Sequence, residues 1–231
     1  MNIPRRYWRN LDWPLILAVL CLIAIGMVVI YSASYSQLVA AGLSPFYYVR
    51  RQALAFLLGL VLSVVAVWID YRDWKRWSRL VYAATTLLLV GVLFFGNRVF
   101  GSQRWVRLGS LSIQPSELAK LALILMLAKV FENEENAQDV KGVVQAALLT
   151  LVPMGLIMLQ PDLGTAVIFV GLFFAMWYVG NARLKPLAIT ALVLVALAAI
   201  VIIASLKGWI GIIKPYQLTR ILVFLDPYAD R

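Results

Sequence analysis

The chain has 231 residues, 63% of them hydrophobic and 14% charged, with a mean hydropathy of +0.87. Soluble domains average about 45–50% apolar and about 25% charged, so this composition excludes a fold bathed in water on all sides. The net charge of +10 falls between apolar blocks, not on a basic stripe interleaved with aromatics, which argues against nucleic-acid binding and for membrane topology and contact with anionic lipid.

The apolar residues come in blocks long enough to cross about 30 Å of hydrocarbon as helices. In chain order they predict spans near 14–34, 52–69, 79–96, 115–131, 143–159, 163–180 and 187–206. The first follows Arg5, Arg6 and Arg9 and is longer than a signal-peptide core, so it reads as an uncleaved helix. Cys21 lies within it and is the single cysteine, which rules out an intrachain disulfide. There is no histidine, which removes the commonest metal ligand and the commonest acid–base group near neutral pH. No linker, repeat or low-complexity run divides residues 1–231, so one membrane domain is expected.

Lys and Arg set the orientation. The segments on the side of the N-terminus hold Arg5, Arg6, Arg9, the cluster Arg72–Arg79, Lys129, Lys141, Arg183 and Lys185, against Arg50, Arg51, Arg98, Arg104 and Arg107 on the other side. The excess predicts an N-terminus inside. Trp8, Trp13, Trp68, Trp74, Trp77 and Trp177 fall near span ends, as an interfacial aromatic belt requires. Pro153 predicts a kink in the fifth span, and Gly164 and Gly171 predict close helix packing in the sixth. The fold class expected is all-α: a polytopic transmembrane bundle of about seven spans.

The polar residues with chemical capacity gather on the outer side. Residues 97–109 are too polar to span and read as an outer surface segment. Pro115 suits the first turn of the fourth span, where its missing N–H costs nothing. Glu117 follows in that turn, at the positive end of the helix dipole. Lys120 lies three residues on, on nearly the same face. A lysine about one turn into a membrane helix must face the bundle interior or a wet cavity and find a partner. That partner is either Glu117, in a purely structural pair, or part of a polar cavity.

Gln160–Pro161–Asp162 forms a tight outer turn, with Asp162 a natural N-cap for the next helix and a possible second partner for Lys120. Trp105 beside Arg104 reads either as an interfacial anchor or as a sugar-contacting aromatic beside a phosphate-binding guanidinium. The tail from 214 is amphipathic, and there Lys214 and Arg220 could meet an anionic headgroup. Glu132, Glu134, Glu135 and Asp139 read as a solvated inner loop. No P-loop, dinucleotide glycine pattern or Cys/His metal spacing occurs.

Several of these segments together resemble the SEDS family of bacterial shape, elongation, division and sporulation proteins, which includes RodA, FtsW and SpoVE. The matching stretches are Tyr31-Ser32-Ala33-Ser34, Arg51-Gln52, GSQRWVRLG at 101–109, QPSELAK at 114–120, QPDLGT at 160–165 and RILVFLDPYAD at 220–230. The short first outer loop and Asp70-Tyr71-Arg72 look more like RodA than FtsW.

The resemblance implies a peptidoglycan glycosyltransferase in the bacterial cytoplasmic membrane. Such an enzyme polymerises lipid II at the outer face, serves elongation and cell shape, and works with a class B penicillin-binding protein. Arg104, Trp105, Glu117, Lys120, Gln160, Asp162 and Arg220 become the expected substrate-binding cavity, with a divalent cation such as Mg a candidate cofactor. Family members have about ten spans, and their catalytic aspartate falls in a loop beyond the position of Arg231. The expectation is therefore that these residues are the N-terminal part of such a protein, that they hold no catalytic base, and that they are inactive alone. A lipid-linked precursor transporter and a non-catalytic scaffold for a penicillin-binding protein are the alternatives.

Overall fold

The computed structural model describes residues 12–95, 97–99, 102–108 and 111–206. The chain divides into two compact units, Met1–Asp70 and Tyr71–Arg231.

The first unit is a pair of helices, α1 (Trp13–Ala40) and α2 (Tyr47–Trp68). Asp12 caps α1, its Oδ1 accepting from the Leu15 N–H at 3.1 Å, and Pro14 occupies the first turn. The helix ends at Gly42, whose φ of +68° is a left-handed conformation that favours glycine. There the Leu43 N–H returns to the Leu38 carbonyl and the Gly42 N–H to that of Val39, which closes the last turn. Tyr31 stacks against Phe46 of the connecting turn, ring centroids 5.1 Å apart. Only Leu38 is buried in α1 and nothing in α2. Helices so apolar and so exposed are solvated by lipid.

The second unit begins with α3 (Tyr71–Phe95). A three-stranded antiparallel meander follows, β1 (Asn97–Val99), β2 (Ser102–Leu108) and β3 (Leu111–Ile113), in the order β1-β2-β3. Then come α4 (Pro115–Phe131), the short α5 (Glu134–Gln138), α6 (Val140–Leu159), α7 (Leu163–Val179) and α8 (Leu184–Leu206). Helix α4 is the centre and packs on α3, α6 and α7. Its buried Ala119, Ala122, Leu123, Leu127 and Val130 recur at three- and four-residue spacing. All but Ala122 share one core with Leu89, Ile157 and Phe169, which are fully buried. Surrounded on several sides, α4 can carry Glu117, Lys120 and Lys129 without exposing them all to hydrocarbon.

The bundle satisfies most of its buried polar side chains internally, as lipid demands. The hydroxyls of Ser78, Thr85 and Thr150 donate back to carbonyls three or four residues earlier. Pro153 lies inside α6 and is fully buried. It lacks the N–H that would reach the Leu149 carbonyl one turn before it. That carbonyl accepts instead from the Tyr82 hydroxyl of α3, at 2.6 Å. The proline's consequence is thus a specific tie between two helices.

Seven helices of 17 residues or more cover the seven predicted spans among the described residues. Five are long and apolar enough to cross a membrane by length and composition: α1, α2, α3, α6 and α8. Helix α7 is apolar but has only 17 residues, and α4 matches it in length while bearing charges. At 1.5 Å per residue each rises about 26 Å, just short of the hydrocarbon core. The chain is a multi-pass helical membrane protein.

Four expectations change. Residues 71–79, read as loop, form the first turns of α3, and residues within 97–113 form strands. Glu132, Glu134, Glu135 and Asp139 are exposed, as read; their segment also carries a helical turn capped by the Asn133 side chain, and Glu132 and Glu134 in it bind Lys75 and Asn181. Trp177 does not face lipid: it is buried, and its indole N–H donates to the Ala137 carbonyl at 2.8 Å. Gly171 meets nothing within 4 Å among the described residues and Gly164 only Asp162, so neither brings helices close. The tight glycines are Gly142, against the Asn136 backbone, and Gly180, against Phe131.

Candidate functional site

Helices α4 and α7 both start at the same end of the second unit, and β2 reaches across that end. Each start follows a Gln-Pro pair or contains one. Gln114 precedes Pro115 and is held extended, at φ −102° and ψ 111°, the conformation a following proline favours. Its carbonyl accepts from the Glu117 N–H at 3.0 Å, and its side chain stays free to turn sideways. Asp162 ends the second turn and caps α7, Oδ1 accepting from the Thr165 N–H at 3.2 Å.

The other oxygen of Asp162 gathers the site. Oδ2 lies 3.0 Å from Nη1 of Arg104 on β2 and accepts from Nε2 of Gln114 at 3.3 Å. Strand and both helix starts therefore meet on one carboxylate. The side chains of Arg104 and Asp162 are 23% and 11% exposed, so the pair is shielded enough for its charges to matter. Burial pushes the Asp162 carboxyl up, but the Thr165 N–H and hydroxyl and the Arg104 guanidinium outweigh it, and the pKa is lowered. Asp162 is a held anion and a poor proton acceptor.

Lys120 pairs with Glu117 at 2.9 Å, not with Asp162; the lysine is mostly shielded and the glutamate half exposed. Of its two expected partners, Lys120 thus takes the one on its own helix, and Arg104 fills the role foreseen for Lys120 beside Asp162. Trp105 is partly buried on β2, where it pairs in register with Asn97. Gln160 is buried, and its Nε2 donates to the Leu89 carbonyl of α3 at 3.1 Å, tying the end of α6 to α3. Arg220 lies outside the described residues, as do Lys214 and the segment 220–230. Gln114 was missing from the expected set. Its position one residue before the proline of a helix start was the available signal.

Two buried polar atoms here lack hydrogen-bond partners: Nε of Arg104 and Oγ of Ser116 in the first turn of α4. With the positive ends of α4 and α7 they form a neighbourhood suited to oxyanions. It does not suit a divalent cation by itself. No three carboxylate, histidine or cysteine side chains cluster among the described residues, and Glu117 and Asp162 each already face a cation. No step is assigned to a metal.

Residues 13–231 match the family of FtsW, RodA and SpoVE, described as cell cycle proteins. The chain is 34% identical over 225 residues to a protein of Allochromatium vinosum named probable peptidoglycan glycosyltransferase FtsW, covering 95% of this chain and 54% of that one. It is 33% identical over 225 residues to stage V sporulation protein E of Bacillus subtilis, covering 95% and 58%. Among solved structures it is similar to a chain of a peptidoglycan synthase complex, at 36% identity and a TM-score of 0.73, covering 96% and 61%. It is also similar to the rod shape determining protein RodA of Thermus thermophilus, at 34% identity and a TM-score of 0.68, covering 83% and 60%. The chain spans a little over half the length of the curated relatives it matches. Its span pattern, its Gln-Pro helix starts and these matches make it a member of the FtsW, RodA and SpoVE family.

Proposed function

We infer that this chain contributes the sugar–lipid binding end of a peptidoglycan glycosyltransferase. The protein would polymerise lipid II at the outer face of the bacterial cytoplasmic membrane, alongside a class B penicillin-binding protein, in the wall synthesis that underlies elongation and cell shape. The observation that carries the reading is the convergence of Arg104, Gln114 and Asp162 at the shared start of α4 and α7. Relatives named for the activity also support the reading.

Glycosyl transfer breaks the bond between a sugar's anomeric carbon and its pyrophosphate and forms one to an acceptor hydroxyl oxygen. The hydroxyl proton passes to a base, and the pyrophosphate leaves with the bonding pair. The described residues suit the leaving-group side. Arg104, Lys120 and the two helix starts can neutralise charge growing on the pyrophosphate, and Asp162 holds the guanidinium in place. No base is assigned among them, because Asp162 is engaged on both oxygens. With seven crossings and the N-terminus inside, this end would face outward and the basic end of α3 inward, an orientation that the Lys and Arg excess supports. Leu89, Leu123, Leu127 and Phe169 fill the space between the two ends with apolar side chains, which supports transfer over transport.

Lipid II polymerisation in the presence of the partner tests the reading. Unchanged activity in both Lys120→Ala and Asp162→Ala would remove these residues from the site.

A further inference from the structure

The opposite end of the second unit carries a second charged feature, unrelated to sugar transfer. The first turns of α3 and the C-terminal end of α4 flank an open cavity of about 470 Å³ lined by Tyr71, Arg72, Lys75, Arg76, Lys129 and Glu132. Four cations face one carboxylate. Lys75 pairs with Glu132 at 2.6 Å, and Lys129 also reaches the Lys75 carbonyl at 3.3 Å, which holds the two helices together around the space. The Arg72 guanidinium lies 5.8 Å from the centre of the Tyr71 ring. Asp73 is on the same first turn of α3 and does not line the cavity.

The surroundings are those of a membrane interface. Tyr71 and Trp77 are 74% and 56% exposed, and Leu80, one turn further along, is 62% exposed. Amphipathic aromatics beside an apolar face mark the headgroup level. A basic pocket between membrane helices at that level suits an anionic lipid headgroup.

We propose that this cavity is a binding site for the phosphate of an anionic phospholipid, whose acyl chains would run along the exposed face of α3. The phosphodiester takes its charge partners from Arg76 and Lys129, and Tyr71 lies at headgroup level beside it. The proposal rests on the membrane character of the chain and stands whether or not the glycosyltransferase reading holds.

The test is titration of the purified chain in neutral detergent with phosphatidylglycerol, phosphatidylcholine or inorganic phosphate, read by native mass spectrometry. Native chain should retain phosphatidylglycerol over phosphatidylcholine. Arg76→Gln with Lys129→Gln should weaken that retention about thirty-fold, and Arg76→Lys with Lys129→Arg should keep it. Arg183→Gln with Lys185→Gln removes the same charge from the same end without touching the cavity and should leave retention near native. Glu132→Gln removes the competing charge while its amide oxygen can still accept from Lys75, and it should tighten binding, which keeps the proposal testable where the neutral pair fails to fold. Equal retention of the two lipids, equal loss in the cavity and control pairs, or weaker binding in Glu132→Gln would overturn it. Displacement of the lipid by inorganic phosphate at matched concentration would also overturn it, assigning the cavity to a free anion.

Discussion

Nη1 of Arg104 lies 3.0 Å from Oδ2 of Asp162, which ties the strand β2 to the residue that caps helix α7. The contact has two effects. It fixes the register of β2 over the helix starts, and it holds a guanidinium at the shared start of α4 and α7.

A double-mutant cycle of Arg104→Gln and Asp162→Asn isolates this contact, since Asn retains the cap. Both side chains are less than a quarter exposed, so a coupling of about 1–2 kcal/mol is expected. The same cycle on Lys120 and Glu117, where the glutamate is 58% exposed, should give below about 0.5 kcal/mol. Unfolding of the chain in mixed micelles supplies both values. Equal couplings would contradict the difference in shielding.

Acid should weaken the protein through Asp162. Its pKa is lowered from the ordinary 3.8, so the folded state binds this proton less readily than the unfolded chain. The stabilisation is fully present above the ordinary value and is lost as pH falls through the lower folded value. Melting temperatures of native protein and Asp162→Asn should therefore converge on acidification below about pH 4. A gap that stays constant across that range would contradict the ionised, ion-paired carboxylate.

Tyr82 and Pro153 should show opposite-signed coupling. Tyr82→Phe leaves the Leu149 carbonyl without a donor inside the bundle, at a cost of about 1–3 kcal/mol. In a Pro153→Ala background residue 153 supplies its own N–H, and the same Tyr82→Phe change should cost well under about 1 kcal/mol. Thermal unfolding of the four proteins measures this. An identical Tyr82→Phe cost in both backgrounds would show that the hydroxyl does not serve the proline.

Glycine substitutions should separate packing from sequence appearance. A Cβ on Gly142 would press on the Asn136 backbone, and one on Gly180 would sit 2.7 Å from Cβ of Phe131. Gly142→Ala should cost about 2–3 kcal/mol, because backbone yields less than a side chain. Gly171→Ala, in open space, should change stability by less than about 0.5 kcal/mol. The reverse ranking in melting temperature would contradict the packing described.

The helices were legible because lipid accepts apolar residues on every face, so each span is a nearly unbroken block. The starts of α4 and α7 were legible through Pro115 and Asp162, whose backbone roles are local. The strands were hidden by their own polarity. Residues 102–108 looked merely unable to span, although Gly101 and Gly109 bracket the run as turn residues would. The partner of Asp162 could not be read at all, because the position of Arg104 over α7 depends on how the meander folds back, which no local pattern encodes. Trp177 misled because a tryptophan near a span end looks the same whether it meets lipid or the Ala137 carbonyl.

The most direct measurement is lipid II polymerisation by a chimera in which residues 13–231 replace the matching region of the FtsW of Allochromatium vinosum, assayed with a class B penicillin-binding protein. The chimera should make glycan strands. Arg104→Gln should lower the rate about hundred-fold, the effect of removing one positioned donor to a developing oxyanion, and Asp162→Asn should lower it by a similar factor while the protein stays folded. A chimera that polymerises lipid II at an unchanged rate with both substitutions in place would contradict the assignment of this end as the sugar–lipid site.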